Sequence, residues 1–204
     1  AIGTLNAVIN EGLAAAERIL GLLDTPRQIT DCRGAVSLQV KAGKITFEKV
    51  GFSYECNNVA ALEDINFTAK PGQTVALVGP SGAGKSTIIN LLPRFFDVTS
   101  GKILIDGQAI SDVTVASLRR AMALVSQDAV IFDNTVAANI RFGKADASQA
   151  DIENAARGAA AHDFIMALPD GYDTPVGAMG NRLSGGQRQR VSIARALLKD
   201  SPIL

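Results

Sequence analysis

Apolar residues near the start of the chain recur at the spacing of an amphipathic helix. From Leu5 to Leu23 they stand at positions 5, 8, 9, 13, 16, 19, 20 and 23, close to the helical period of 3.6 residues. The sequence DTP at 24–26 then breaks the pattern. We therefore predict a helix over 5–23, followed by a mixed and polar linker through about Lys41.

Strand-like segments follow the linker. Alternation in KITFEKVGFSY (44–54) and the apolar positions of ALEDINFTAK (61–70) predict two strands, and KPGQ (70–73) predicts a turn after them. The sequence KILIDGQAI (102–110) predicts a hairpin that turns at Asp106-Gly107, a residue pair that tolerates positive φ. The hairpin would pair its two strands antiparallel.

The remainder of the chain alternates apolar runs with helical patterns. TVALV (74–78) and AMALVSQ (121–127) predict two buried strands, whereas the stretch from about 132 to 169 has helical patterns and no strand signal. Ser148 is a suitable N-cap for an Ala-rich helical stretch reaching Leu168, and Ser184 for a helix over 185–199. Together the patterns predict an α/β fold with a parallel sheet and a helical insertion.

Composition adds three limits to this picture. Lys plus Arg and Asp plus Glu number 20 each, so no overall field attracts nucleic acid. Cys32 and Cys56 lack metal-ligand spacing and the density of a disulfide scaffold, which favours reduced thiols in a cytosolic setting. The chain begins with Ala, without a signal-peptide pattern or a bilayer-length apolar run, so we expect a segment cut from a longer protein.

The sequence GPSGAGKST at 79–87 satisfies the pattern G-x-x-x-x-G-K-[ST] between an apolar run and a helical one. Glycines at such positions accept positive φ and let backbone amides approach a phosphate chain, to which the following helix start also points its N–H groups. A lysine there attracts the outer phosphates, and a serine hydroxyl can bind Mg²⁺. The alternative is a Gly-rich turn without a ligand. The residues of this predicted phosphate loop are Gly79, Pro80, Ser81, Gly82, Ala83, Gly84, Lys85, Ser86 and Thr87.

A second Gly-rich helix start lies at LSGGQRQR (183–190). Ser184 is an N-capping residue followed by two glycines, which makes a possible anion site without a lysine. The alternative is a flexible turn and cap, with Arg188 and Arg190 on a solvated face.

A phosphate loop followed about a hundred residues later by Leu-Ser-Gly-Gly-Gln resembles the ATP-binding cassette (ABC) proteins, whose signature motif is that pentapeptide. The resemblance implies a P-loop NTPase core with a parallel sheet, an antiparallel β subdomain and a helical subdomain at about 132–185. It also implies ATP and Mg²⁺ as ligands, with Tyr54 in GFSY stacking on adenine and Gln127 in LVSQD reaching the metal together with Ser86. In the family, two cassettes stack head to tail, so the signature residues would contact ATP held by the partner: Leu183, Ser184, Gly185, Gly186 and Gln187.

Other segments resemble exporters of the lipid-A and multidrug type. ERILGLLDTP (17–26) is similar to the link from the last membrane helix, which implies a linker helix over 1–31 and a nucleotide-binding domain over 32–204. The resemblance further implies a transmembrane partner domain, no nucleic-acid partner, and a place at the cytoplasmic face of a membrane, in bacteria the inner membrane. Two alternatives are a soluble cassette ATPase of DNA repair or translation and a binding-only regulatory cassette that ends at Leu204.

The sequence departs from the family pattern in two places. Family members continue beyond SPIL (201–204) into a Walker B aspartate, a catalytic glutamate and a switch histidine, so these 204 residues contain no catalytic residue and are expected to bind ATP without turnover. His162 lies upstream of the signature and is not the switch histidine. Where exporters carry an acidic and then a basic residue, VGAMG (176–180) has Ala178 and Met179, so we expect apolar coupling through Met179.

Overall fold

The computed structural model describes residues 2–25, 28–54 and 60–204, and the side chains from residue 10 onward. Cys56 lies outside the described residues. The chain divides into two compact units, Ala1–Thr30 and Asp31–Leu204.

The first unit contains the long helix α1, Ile2–Leu23, so the helix predicted from the apolar spacing is confirmed. It ends where Asp24 N donates to Leu20 O and the Thr25 hydroxyl donates to Gly21 O, 3.1 Å away. The described side chains of this helix are exposed, among them Leu13, Ile19 and Leu22. No helix in the described part of the chain combines the length and the apolar character needed to cross a bilayer.

The second unit begins with a four-stranded antiparallel sheet. Its strands are β1 (Ile45–Phe52), β2 (Leu62–Ala69), β3 (Ser100–Ile105) and β4 (Gln108–Ala109), in the order β2-β1-β3-β4. The predicted antiparallel subdomain and its hairpin are confirmed. Asp106 and Gly107 both have positive φ, 50° and 81°, as a two-residue hairpin turn of the right twist requires.

In its described residues the second unit has six α-helices, of which the first lies between β2 and β3 in the chain. They are α2 (Lys85–Leu91), α3 (Val115–Arg120), α4 (Val136–Arg141), α5 (Gln149–Gly158), α6 (His162–Met166) and α7 (Gly185–Lys199). The predicted helical insertion is confirmed as α4 to α6, with the Ala-rich stretch divided at Ala160, where φ is 51°. The caps predicted at Ser148 and Ser184 are confirmed, because each forms a reciprocal capping box at its helix start.

These elements enclose two hydrophobic cores. One lies between the sheet and helices α2 and α3, and includes Phe47, Leu91 and Leu118. The other lies among α4, α5, α6 and α7, and includes Ile140, Ile152 and Val191. The Lys199 ammonium, at the end of α7, donates to the backbone carbonyls of Arg119 and Met122 and so connects α7 to the end of α3.

The two buried strands predicted at 74–78 and 121–127 are wrong for the structure described. Residues 74–78 form no strand, and their side chains Val75 and Val78 are 41% and 92% exposed. Residues 121–127 form one isolated parallel bridge, Met122 to Ile203. A strand exists only where a neighbour pairs its N–H and C=O groups, and the described residues supply no such ladder here. The parallel pairing within the described residues is limited to isolated bridges, Val36 to Val113 and Met122 to Ile203. An apolar cavity of about 730 Å³ lies beside both segments.

Part of the polar stretch predicted as a linker, residues 38–44, packs within the second unit. The Ser117 hydroxyl accepts a bond from Leu38 N at 2.9 Å, and Gln108 exchanges two hydrogen bonds with the backbone of Gln39. The Asp106 carboxylate accepts bonds from four successive backbone amides, Lys41 to Lys44, at 2.8–3.0 Å. The side chains around the β3–β4 turn therefore hold this stretch against the sheet.

Candidate functional site

The predicted phosphate loop forms a tight turn at the start of α2. Ala83 N donates to Pro80 O at 3.3 Å, and the loop ends at Gly84, whose φ of 81° is left-handed. The Lys85 ammonium donates to the carbonyls of Gly79 and Pro80, at 2.8 and 2.6 Å. The lysine side chain therefore folds back over the loop that precedes it in the chain. The one cationic side chain of the loop is thus held against the loop's own backbone carbonyls.

Gly84 is needed for steric as well as conformational reasons. A Cβ there would lie 2.5 Å from Leu62 Cδ2 and 2.9 Å from Ala61 O, so the β2 strand rests directly on the loop. Gly82 also has a left-handed φ, 82°, but a Cβ there would meet nothing within 4 Å. Open space at Gly82 and close packing at Gly84 leave one side of the loop accessible and the other supported.

The structure brings Tyr54 to the same helix start. Its hydroxyl lies 3.1 Å from the hydroxyl of Thr87, which is buried in the first turn of α2. Its ring makes edge-to-face contacts with Phe52, at 4.7 Å between centroids, and with Phe96, at 5.3 Å. A half-buried aromatic ring therefore lies beside the phosphate loop, where a nucleotide base could stack on it.

Ser86 and Gln127 are both exposed in the structure. Gln127 lies in a bend that the Ser126 hydroxyl closes by donating to Asp128 O at 2.8 Å. A hydroxyl and an amide carbonyl are hard oxygen ligands of the kind Mg²⁺ accepts when phosphate oxygens complete its shell. The described residues contain no cluster of three or more His, Cys, Asp or Glu that could hold a metal independently.

The signature residues form the start of α7. Ser184 Oγ accepts from Gln187 N at 3.3 Å, and Gln187 Oε1 accepts from Ser184 N at 2.8 Å. Leu183 is buried, its carbonyl accepting from the Arg188 guanidinium at 2.9 Å, whereas Ser184, Gly185 and Gly186 are exposed. The first amides of a helix have no intrahelical acceptor, so this exposed end can receive an anion.

Within the described residues, no hydrogen bond, ion pair or ring contact joins the phosphate loop to the signature. The loop contacts β2 and Tyr54 at the edge of the sheet core, whereas Leu183 belongs to the helical core. The two elements are therefore separate Gly-rich helix starts.

Two aromatic arrangements in the structure have no signal in the sequence. Phe96 contacts Tyr54 although no periodic pattern links the two positions, so only the folded chain reveals the pair. Phe132 and Phe142 stack at 4.6 Å, and the Arg195 guanidinium lies over both rings while donating to the carbonyls of Val130 and Asn139. Burial lowers the pKa of Arg195, and Phe142 remains 68% exposed.

Both the sequence and the structure of this chain are similar to those of known proteins. A family described as "ABC transporter" matches residues 62–204. The chain is 53% identical, over its whole length, to 35% of an ATP-dependent lipid A-core flippase from Albidiferax ferrireducens. It is 50% identical, over 99% of its length, to 24% of ATP-binding cassette sub-family B member 6 from Homo sapiens.

A solved structure of a bacterial Atm1-family ABC exporter with ATP bound is similar to 99% of the chain, with a TM-score of 0.90 and 46% identity. The chain corresponds to 35% of that exporter. It thus spans about a third or less of the length of these curated relatives and this solved neighbour.

Proposed function

Because this chain belongs to the ABC transporter family, we propose that residues 32–204 are the nucleotide-binding domain of an exporter that uses ATP to move a substrate across a membrane. In this proposal residues 1–31 are the linker helix from a membrane domain. The observation that carries it is the cradle at 79–87, where a left-handed glycine, the Lys85 ammonium and Tyr54 converge at one helix start.

We assign the ATP contacts to named parts of this cradle. The loop from Gly79 to Thr87 would hold the phosphates, because its glycines allow the backbone to approach and Lys85 supplies the charge. Tyr54 would stack on the adenine ring. Ser86 and Gln127 would hold Mg²⁺, which neutralises phosphate charge when bound.

The proposal also includes a protein partner, a second ABC cassette. The exposed amides and hydroxyl at 184–186 would bind the γ-phosphate of ATP held by the partner's loop. The separation of loop and signature into different cores supports this arrangement, since neither completes the other in the described residues.

The other partner in the proposal is a membrane domain of the same transporter. With this partner, the nucleotide-binding domain would lie at the cytoplasmic face of the membrane. Met179 is 84% exposed in a short turn with a positive φ of 53°, and Phe142 is exposed in the same helical region. Apolar surface of this kind supports a coupling contact without an ion pair. If replacing Ala178 by Glu and Met179 by Arg leaves transport coupled to ATP use, Met179 is not the coupling contact.

The ATP site is tested with Lys85→Ala in the full-length protein. We expect this variant to lose the rise in melting temperature that Mg·ATP gives the wild type, because the outer phosphates lose their cation. Lys102→Ala is the matched control, since Lys102 pairs with Glu48 on the sheet at 3.2 Å and should leave the ATP effect unchanged. An undiminished shift in Lys85→Ala would contradict the assignment.

A further inference from the structure

Three aromatic rings meet at the edge of the proposed nucleotide site. Tyr54 contacts Phe52 and Phe96 with interplanar angles of 84° in both pairs, and Phe52 and Phe96 contact each other at 5.6 Å. Phe52 is 5% exposed at the end of β1 and is part of the sheet core. The ring of Tyr54 is therefore held between one core residue and one residue from another part of the chain.

Phe96 lies in the connection between α2 and β3. This connection is itself fixed, because Thr99 N donates to Gly51 O at 2.9 Å and the Arg119 guanidinium donates to the carbonyls of Pro93 and Arg94. Phe96 thus sits on a braced backbone and packs against the sheet core. It can hold its neighbour's ring in one orientation.

The hydroxyl end of Tyr54 is held separately. Its bond to the buried Thr87 hydroxyl fixes the distance of the ring from the phosphate loop. With edge-to-face contacts on the ring and a hydrogen bond at its tip, the side chain has little freedom left. Stacking of a base on this ring would therefore cost little side-chain entropy, because the ring is already held in one orientation.

We propose that Phe96 is a positioning residue for adenine recognition, acting through the ring of Tyr54. The inference rests on the proposed ATP site and assigns to Phe96 a part in binding the base rather than the phosphates. Among the described residues, the rings in contact with Phe96 are those of Phe52 and Tyr54, whereas the Lys85 ammonium bonds to the loop carbonyls of Gly79 and Pro80. Binding of the base and binding of the phosphate tail therefore depend on different side chains.

The test compares two ligands on the full-length protein, Mg·ATP and Mg·tripolyphosphate, by titration calorimetry. In Phe96→Leu the Kd for ATP should rise about 2- to 12-fold, the range expected for loss of one aromatic contact, while the Kd for tripolyphosphate stays as in the wild type. Phe96→Tyr keeps the ring and should restore the wild-type ratio of the two Kd values. Phe67→Leu is the matched control, because the Phe67 ring stacks on that of Phe47, at 4.5 Å between centroids, rather than on Tyr54.

Each outcome decides between the two proposals. If the wild type binds neither ligand, the proposed ATP site itself fails. If it binds both and Phe96→Leu weakens them equally, or changes neither, the positioning role of Phe96 is wrong and the ATP site stands. Where Phe96→Leu does not melt cooperatively, Phe96→Met replaces the ring by an unbranched side chain that adapts to irregular gaps and gives the same comparison.

Discussion

At the residue scale, the Asp106 carboxylate accepts four backbone hydrogen bonds, and its charge contributes to the described fold. Partial burial raises the pKa of its carboxyl, but backbone bonds from Gly43, Ala42, Lys41 and Lys44 outweigh that and bring the pKa well below its usual range. The carboxylate should therefore contribute about 1 to 2 kcal/mol, less than a fully desolvated charged bond because solvent screens it. Asp106→Asn should lower the free energy of unfolding by this amount at pH 7.

The pH dependence separates charge from shape in this prediction. Because the folded pKa lies below the unfolded value, the stabilisation is present above about pH 4 and disappears as the pH falls through the folded pKa. The difference between wild type and Asp106→Asn in urea unfolding should thus be constant above about pH 5 and shrink at lower pH. Asparagine tolerates the left-handed φ of this turn, so Asp106→Asn should keep the turn and remove only the charge. If the loss of unfolding free energy in Asp106→Asn were independent of pH, it would come from a changed turn geometry and not from the charge.

Residues of the candidate site differ in how far sequence predicts them. The glycines and Lys85 are set by spacing along the chain, because a phosphate loop is a local structure whose backbone does the binding. Phe96 and the Asp106 clamp depend on which distant segments meet, and no local pattern carries that information. The roles of Tyr54, Gln127 and the signature residues stay predictions.

At the scale of elements, helices α5 and α7 begin with the same device and are proposed to differ in function. Ser148 and Ser184 each form a capping box, so replacing either by Ala should cost about 0.5 to 2 kcal/mol of stability. Only Ser184→Ala should also weaken the ATP-dependent closure of two cassettes, because only Ser184 is assigned to phosphate. Thermal unfolding and ATP-dependent crosslinking of both variants check the two effects separately.

Ser148→Ala is the control in this comparison, because it removes a helix cap that is not assigned to the nucleotide. If it reduces crosslinking as much as Ser184→Ala at equal loss of stability, the effect at Ser184 is only helix destabilisation. Equal stability loss with closure lost in Ser184→Ala alone supports direct contact with the nucleotide.

Elements were predictable where their own residues carry the signal. The helix starts at Ser148 and Ser184 and the turn at Asp106-Gly107 are determined by side chains within three residues, and all three are confirmed. Residues 74–78 and 121–127 have strand-forming composition, yet a strand also needs a paired neighbour. The apolar residues of these two segments favour a strand, but they carry no information on whether a neighbouring strand pairs with them.

At the scale of the whole molecule, the proposal that two cassettes share each ATP can be tested by mixing variants. If two copies of this chain form the pair, a dimer of Lys85→Ala chains has no intact loop, and a dimer of Ser184→Ala chains has no intact signature. A mixed dimer has one site that combines the unaltered loop of one copy with the unaltered signature of the other. Its second site carries both substitutions.

The amount of ATP retained by mixed dimers therefore distinguishes a shared site from a site within one chain. Co-expression of the two full-length variants with different tags allows dimers carrying both tags to be purified and their tightly bound ATP measured. In the head-to-tail arrangement these dimers should retain about half of the wild-type amount, since one of two independent sites is intact. If loop and signature of the same chain formed each site, every site in the mixed dimer would carry one substitution, and ATP retention would stay at the low level of the single-variant dimers.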